Sequence, residues 1–283
     1  MSGHSITVYT PESPLKNPGR LLRAMFRDVL AARELAWRLF VRDLSAQYRQ
    51  TYLGYVWAFL PPLVASATFI FLQSQGIVKI TGITISYAAF AMMGTLLWQT
   101  FVDAMQSPIT AVQAAKPMLA KINFPREAIL MAGLCMVIFN FLIRLVLLVA
   151  VMAIWHVVPD AGLLLFPVAM AGLLACGFAV GMALLPVGTL YGDVGRGITI
   201  VSGFWMLLTP VVYPARTTGL AGKLATWNPA SPVLTTARES LSGVAFTHLP
   251  AFVGITLAAL LLCFVGLLAY RLVMPILIER MGG

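Results

Sequence analysis

The chain has 283 residues, of which 60% are hydrophobic and 10% charged, with a formal net charge of +9 and a mean hydropathy of +0.89. Soluble domains carry about 25% charged residues, so composition excludes a fully water-facing surface and predicts an integral membrane protein. The charge invites a nucleic-acid reading, but Lys16, Arg20, Arg23, Arg27, Arg33, Arg38, Arg42 and Arg49 all precede Gly54, where they fit a cytoplasmic anchor beside anionic lipid.

Residues 1–19 are polar and hold Pro11, Pro14 and Pro18, the composition of a mobile cytoplasmic tail. Residues 20–50 follow as a basic amphipathic interface helix on the inner membrane face, with a possible break near Arg33. Its apolar positions Leu22, Met25, Val29, Ala36, Leu39 and Leu44 alternate with Arg and Asp at helical intervals. There is no early apolar run with a small-residue cleavage site, so no cleaved leader is expected.

A six-span membrane domain is predicted over 51–275, with a cytoplasmic tail at 276–283. A crossing needs about 20 apolar residues, and the candidates lie at about 54–73, 83–102, 128–155, 163–190, 197–213 and 250–273. Placing the N-terminus inside puts Lys116, Lys121, Arg126, Arg196, Arg271 and Arg280 on the inner side with the eight leading basic residues. Only Lys79, Arg216, Lys223 and Arg238 then lie outside. Both termini are therefore expected to be cytoplasmic.

Two connections carry more than topology. Residues 103–127 read as an inner loop with a short helix at Pro108–Ala115. Residues 214–249 read as two short outer helices, about Leu220–Trp227 and from Ser231-Pro232 to Gly243, broken by Asn228-Pro229. Together they suggest a re-entrant hairpin, because irregular backbone at membrane depth survives only when buried in protein or lining a cavity.

The search for chemistry finds little. No GxxxxGK phosphate loop occurs; Gly219-Leu-Ala-Gly222-Lys223 has the wrong spacing. His4, His156 and His248 are scattered, and Cys135, Cys176 and Cys263 sit in apolar runs without metal-like spacing, so they read as packing residues. No catalytic residue, metal or cofactor site is expected in this chain. Arg144 is the one charge well inside a span, where it needs a partner or water; a snorkelling or structurally paired arginine facing the bundle is the favoured reading, and the outer hairpin, through Glu239 or free carbonyls, is the place it could reach. Gly177-Phe-Ala-Val-Gly181 is a small-residue pattern that permits close helix contact.

Tyr48, Tyr52, Tyr55 and Phe59 recur at intervals of four, three and four, one stripe on a helix that Phe69 extends. An aromatic belt at the inner interface accounts for most of them. The second reading is a surface on which sugar C–H faces stack, and spacing alone favours the belt.

Arg42-Asp43-x4-Tyr48-Arg49-Gln50-x2-Leu53-Gly54-x2-Trp57-x4-Pro62 resembles the approach to the first span of ABC-2-type polysaccharide export permeases. Asn123-Phe-Pro-Arg-Glu127, Asp193-Val-Gly-Arg196, Leu208-Thr-Pro-Val-Val-Tyr-Pro214 and Asn228-Pro229 with Arg238-Glu239 match in the same order, and the resemblance covers Arg33 to Arg280. Gly192 departs from it, since the family often has Arg before the Asp. The resemblance implies an all-α, six-span fold and a homodimer. Two copies of a separate ATPase subunit would bind ATP and Mg. The cargo would be a lipid-linked polysaccharide, with O-antigen ahead of capsule, crossing a bacterial inner membrane. It implies docking on the ATPase through Arg38, Arg42, Asp43, Ser107, Gln113 and Lys116. The substrate path would be lined by Tyr48, Tyr52, Tyr55, Phe59, Phe69, Trp98, Trp205 and Tyr213. An outer gate would be built from Trp227, Asn228, Pro229, Arg238 and Glu239. A permease for a small lipid or drug, a glycan-modifying membrane enzyme and an assembly scaffold are the rival readings.

Overall fold

A computed structural model describes the backbone of residues 18–49, 56, 59–76, 82–119, 124–214 and 219–281. The described residues form helices and turns: α1 (Pro18–Arg49), α2 (Leu60–Ser74), α3 (Tyr87–Leu119), α4 (Glu127–Ile154), a 3-10 turn (Ala161–Leu165), α5 (Phe166–Leu190), α6 (Asp193–Leu208), α7 (Gly219–Trp227), α8 (Ala230–Ser242) and α9 (Leu249–Met281). A helix overlaps each of the six predicted spans. Among the described residues, Glu127–Ile154, Ala161–Leu190 and Leu249–Met274 are long and apolar enough to cross a membrane, and Leu60–Ser74 is a shorter apolar helix. Tyr52, Tyr55 and Trp57 lie outside the described residues, as do the side chain of Tyr48 and residues 1–17 of the predicted tail.

The core is organised around α3, which packs against α2, α4, α5, α6 and α8. Its residues from Ala89 to Trp98 are buried without interruption. A helix apolar all round belongs inside a bundle. The α3–α5 contact is close because of the two small residues singled out in the sequence. A Cβ at Gly177 would lie 2.6 Å from the Phe101 carbonyl oxygen, and one at Gly181 would lie 2.2 Å from that of Met105. Backbone meets backbone there, as small residues allow.

Three expectations are corrected. Residues 103–119 are not a loop with a short helix, because α3 runs unbroken for 33 residues with Pro108 and Pro117 inside it. A proline removes one intrahelical donor, and a helix held on several sides by neighbours tolerates that loss. Second, α1 is one helix of 32 residues without a break near Arg33. Its apolar face is laid along α4 by Ala32, Ala36, Leu39 and Phe40, all buried. Third, the fifth span stops being helical at Leu208. Pro210 disfavours helical geometry in the residue before it, and Thr209 is extended with ψ 138°.

Helix ends follow local rules elsewhere. Pro61 and Pro62 open α2 at its first turn, where the missing N–H costs nothing. Gly243, at φ 65°, closes α8 in the left-handed region, as its sequence position predicted. α8 begins at Ala230, earlier than the Ser231-Pro232 signal suggested. The Asn228 side-chain oxygen accepts from the Ala230 N–H at 3.0 Å and takes the capping role expected of Ser231.

Candidate functional site

A polar knot around Thr209–Val212 ties α8 to the end of α6 and to α3. Every residue of α8 except Glu239 and Ser242 is buried, where the helix packs against α3, α5 and α9. Arg238 is 5% exposed, and its Nη1 donates to the carbonyl oxygens of Pro210 and Val211 at 2.9 Å each. Its guanidinium stands over the Phe90 ring, 3.8 Å from the centroid, an attraction strengthened by desolvation. A buried arginine is costly unless its donors find acceptors. The carbonyls freed where α6 ends meet that need, so the non-helical backbone and the buried cation satisfy each other.

Asn228 closes the knot. It donates to the Thr209 hydroxyl at 2.8 Å and accepts from the Trp205 indole N–H at 2.9 Å. Gly94 on α3 completes the fit, since a Cβ there would lie 2.0 Å from the Val211 carbonyl oxygen. Of the predicted gate residues, Asn228 and Arg238 therefore converge on one segment. Glu239 lies apart, accepting from the Thr247 backbone N–H at 3.2 Å and from its hydroxyl at 2.5 Å. Pro229 is exposed, and Trp227 is 88% exposed.

Below the knot, Trp98 and Phe101 of α3 stack at 5.2 Å, and Trp205 of α6 meets both edge-on, at 5.9 and 5.4 Å. Trp98 is 4% exposed, so in this conformation its ring serves as the bearing of α6 on α3 and offers no free face. Gln106 extends this seam by donating to the Thr199 hydroxyl at 3.2 Å. Of the remaining aromatic candidates, Phe59 is half-buried in the turn before α2 and Phe69 leans on the core. The Tyr213 hydroxyl donates to the Leu207 carbonyl at 2.8 Å. A Ser66–Thr95 hydroxyl pair, 2.6 Å apart and buried, ties α2 to α3 and carried no signal in the sequence.

Arg144 does not reach the outer hairpin. Its Nη1 lies 2.6 Å from the Asp103 carboxylate, with side chains 6% and 19% exposed, and Gln99 donates to the same carboxylate at 3.0 Å. In the sequence alone Asp103 reads as the start of a loop, which hides it as a partner for Arg144. In a continuous α3 it faces α4 from mid-helix.

The predicted docking residues separate into two groups. Arg38 pairs with Glu34 on the open face of α1, both 74% exposed, and Arg42 pairs with Asp43 at 2.7 Å. Ser107 is instead 4% exposed against Gly133 of α4, which removes it from any docking surface. Gln113 and Lys116 donate to the Gly188 and Thr189 carbonyls at 2.9 and 2.8 Å. They cap the C-terminal end of α5, where a cation is favoured. A further cluster carries no signal in the sequence: Arg271 of α9 meets Asp28 of α1 and, at 3.6 Å, Glu127 of α4. Beside it the Tyr270 hydroxyl donates to the Arg126 carbonyl at 3.1 Å. Among the described residues no group of His, Cys, Asp or Glu is arranged to hold a metal.

Comparison with known proteins gives a consistent picture. The family model for ABC-2 type transporters matches residues 34–242. The O-antigen export system permease protein RfbA of Myxococcus xanthus is 27% identical over 197 residues, covering 68% of this chain and 73% of its own. A protein of the same name from Klebsiella pneumoniae is 22% identical over 201 residues, covering 70% and 76%. The matched region runs from the open face of α1 to the end of α8, so it includes the polar knot, the aromatic seam and the Asp103–Arg144 ion pair.

Proposed function

This chain belongs to the ABC-2 type transporter family, and on that premise we propose that it is the permease subunit of an exporter for a lipid-linked polysaccharide of O-antigen type. The observation that carries the cargo is the likeness, over about two thirds of the chain, to proteins named as O-antigen export permeases. As a transport subunit it moves cargo, and a separate ATPase that binds ATP and Mg supplies the work. In this reading α2, α3, α4, α5, α6 and α9 each cross the inner membrane, with both termini in the cytoplasm. The basic residues concentrated before Gly54 and the short inner segments support that orientation. The burial of α8 among α3, α5 and α9 supports a re-entrant hairpin.

A homodimer follows from the same reading. Ile200, Phe204 and Leu207 leave an apolar face of α6 exposed, turned away from the seam with α3, and a second copy set against it would enclose a path between the two subunits. A polymer cannot be sealed in a pocket and flipped, so it needs a continuous tunnel with weak repeated contacts. Aromatic side chains near the start of α2 and along α6 suit such contacts. On the inner side, the exposed Arg38 and Arg42 of α1 suit an acidic ATPase surface.

The test is reconstitution of the chain with its ATPase in vesicles carrying a lipid-linked glycan on the outer, ATP-accessible face. ATP-dependent protection of the glycan from an added glycosidase is the expected result. Protection without the ATPase would overturn the proposal. Transport of a short fluorescent lipid but no glycan would favour the small-lipid reading.

A further inference from the structure

A cleft of about 470 Å³ opens beside α3, between the end of α1, the start of α2 and α4. Both α2 and α4 pack on α3 without forming a packed interface of comparable size with each other among the described residues. The cleft gathers polar side chains among apolar ones in a chain that is mostly apolar. Gln99, Asp103, Gln106 and Thr110 place a polar stripe on α3 at helical intervals, Asn140 and Arg144 face it from α4, and Asp43 and Gln47 of α1 border the mouth. The Arg144–Asp103 pair forms part of its wall.

The chemistry of the lining selects its ligand. Each carboxylate is neutralised within the structure, Asp43 by Arg42 at 2.7 Å and Asp103 by Arg144 at 2.6 Å. Among the described lining residues there is no lysine, and Arg144 is the one arginine, already engaged by Asp103. A phosphate or pyrophosphate would bring two or more charges to a wall whose described residues offer no spare cation, at a large desolvation cost. Amides and hydroxyls with compensated charges instead match a neutral, hydroxyl-rich ligand, which donates and accepts at every position.

We propose that this α3–α4 cleft is an inner-leaflet subsite for an uncharged sugar of the lipid-linked glycan. The lipid tail would remain in the bilayer, between α2 and α4, while the sugar enters sideways from the interface. The proposal rests on the export reading and adds to it a location and a charge preference: a neutral sugar binds here, and the phosphate of the carrier does not.

The experiment uses the full complex with its ATPase in nanodiscs and two probes: a farnesyl-linked neutral disaccharide with a photoreactive diazirine on the sugar, and farnesyl phosphate as competitor. Cross-links are expected on α3 between Gln106 and Ala114 and on α4 between Ala132 and Asn140. A tenfold excess of farnesyl phosphate should leave them within twofold. Ala114→Trp, which fills the mouth from an exposed position, should lower cross-linking at least fivefold, and Thr110→Val serves as a milder second variant. Cross-links confined to other helices, efficient competition by farnesyl phosphate, or unchanged labelling in Ala114→Trp would each overturn the proposal. Cross-linking in the cleft of a complex that exports no glycan would uphold the subsite and overturn the export reading instead. Export without these cross-links would do the reverse.

Discussion

Asp103 and Arg144, forty-one positions apart in the chain, meet at 2.6 Å in the middle of the α3–α4 interface. Removing one member of a buried pair strands the other's charge, at about 3–5 kcal/mol, whereas replacing both with apolar side chains is often neutral. Arg144→Ala should therefore lower the melting temperature of the detergent-solubilised protein sharply. The double variant Asp103→Leu/Arg144→Met should recover most of it. Differential scanning fluorimetry on the three proteins decides the matter, and equal losses in single and double variants would show that the pair is not the source of the stability.

Arg238 poses a different problem, because its partners are backbone carbonyls. Arg238→Ala leaves the Pro210 and Val211 oxygens buried without a donor, at about 1–3 kcal/mol for each stranded group. Arg238→Lys keeps a charge near the carbonyls but loses the planar face that lies over Phe90. The expected order of thermal stability is wild type, then Lys, then Ala. A lysine variant as stable as wild type would mean that the ring contact contributes nothing.

Two glycines separate packing from propensity. Gly94→Ala drives a methyl to 2.0 Å from the Val211 carbonyl oxygen, a backbone atom that cannot swing aside, and overpacking of this kind costs about 1–3 kcal/mol or more. Gly254→Ala in α9 meets nothing within 4 Å and should gain up to about 1 kcal/mol from helix propensity. Opposite shifts in melting temperature are expected, and a neutral Gly94→Ala would show that the Thr209–Val212 segment is not seated on α3.

Arg271 of α9 ties that helix to α1 and α4 through Asp28 and Glu127. Partly exposed ion pairs contribute about 1 kcal/mol or less, so Arg271→Ala should leave global stability nearly unchanged. Local opening of α1 should rise by up to about fivefold, the ratio that about 1 kcal/mol supports. Hydrogen exchange of residues 27–40 reads this directly, with the amides of α3 as the internal reference. Uniform acceleration across both helices would assign Arg271 to the global fold instead.

Much of this architecture was legible because membrane helices announce themselves through long apolar runs, and because Pro61, Pro62 and Gly243 mark their boundaries by local rules. The polar knot was legible in part. Leu208–Pro214, Asn228 and Arg238 stood out as motifs, but their meeting at one segment depends on the non-helical turn after Leu208. The unbroken α3 was hidden by Pro108, Pro117 and Asp103, which read as loop residues in isolation. Yet Gln99, Asp103, Gln106 and Thr110 already lay at helical spacing, a polar stripe that a search restricted to apolar periodicity passes over. The contact of Asp28 with Arg271 spans 243 positions and leaves no local trace at either end.

The continuity of α3 has a mechanical meaning. At a rise of 1.5 Å per residue, its 33 residues make a rod about 50 Å long, well beyond the hydrocarbon thickness of about 30 Å. A rigid rod needs no internal rearrangement to act at a distance: tilting one of about 50 Å by about 5° about its midpoint carries each end through about 2 Å. A push delivered near Lys116 would thus arrive beside Gly94 as a sideways stroke, with the mid-helix ion pair close to the fulcrum.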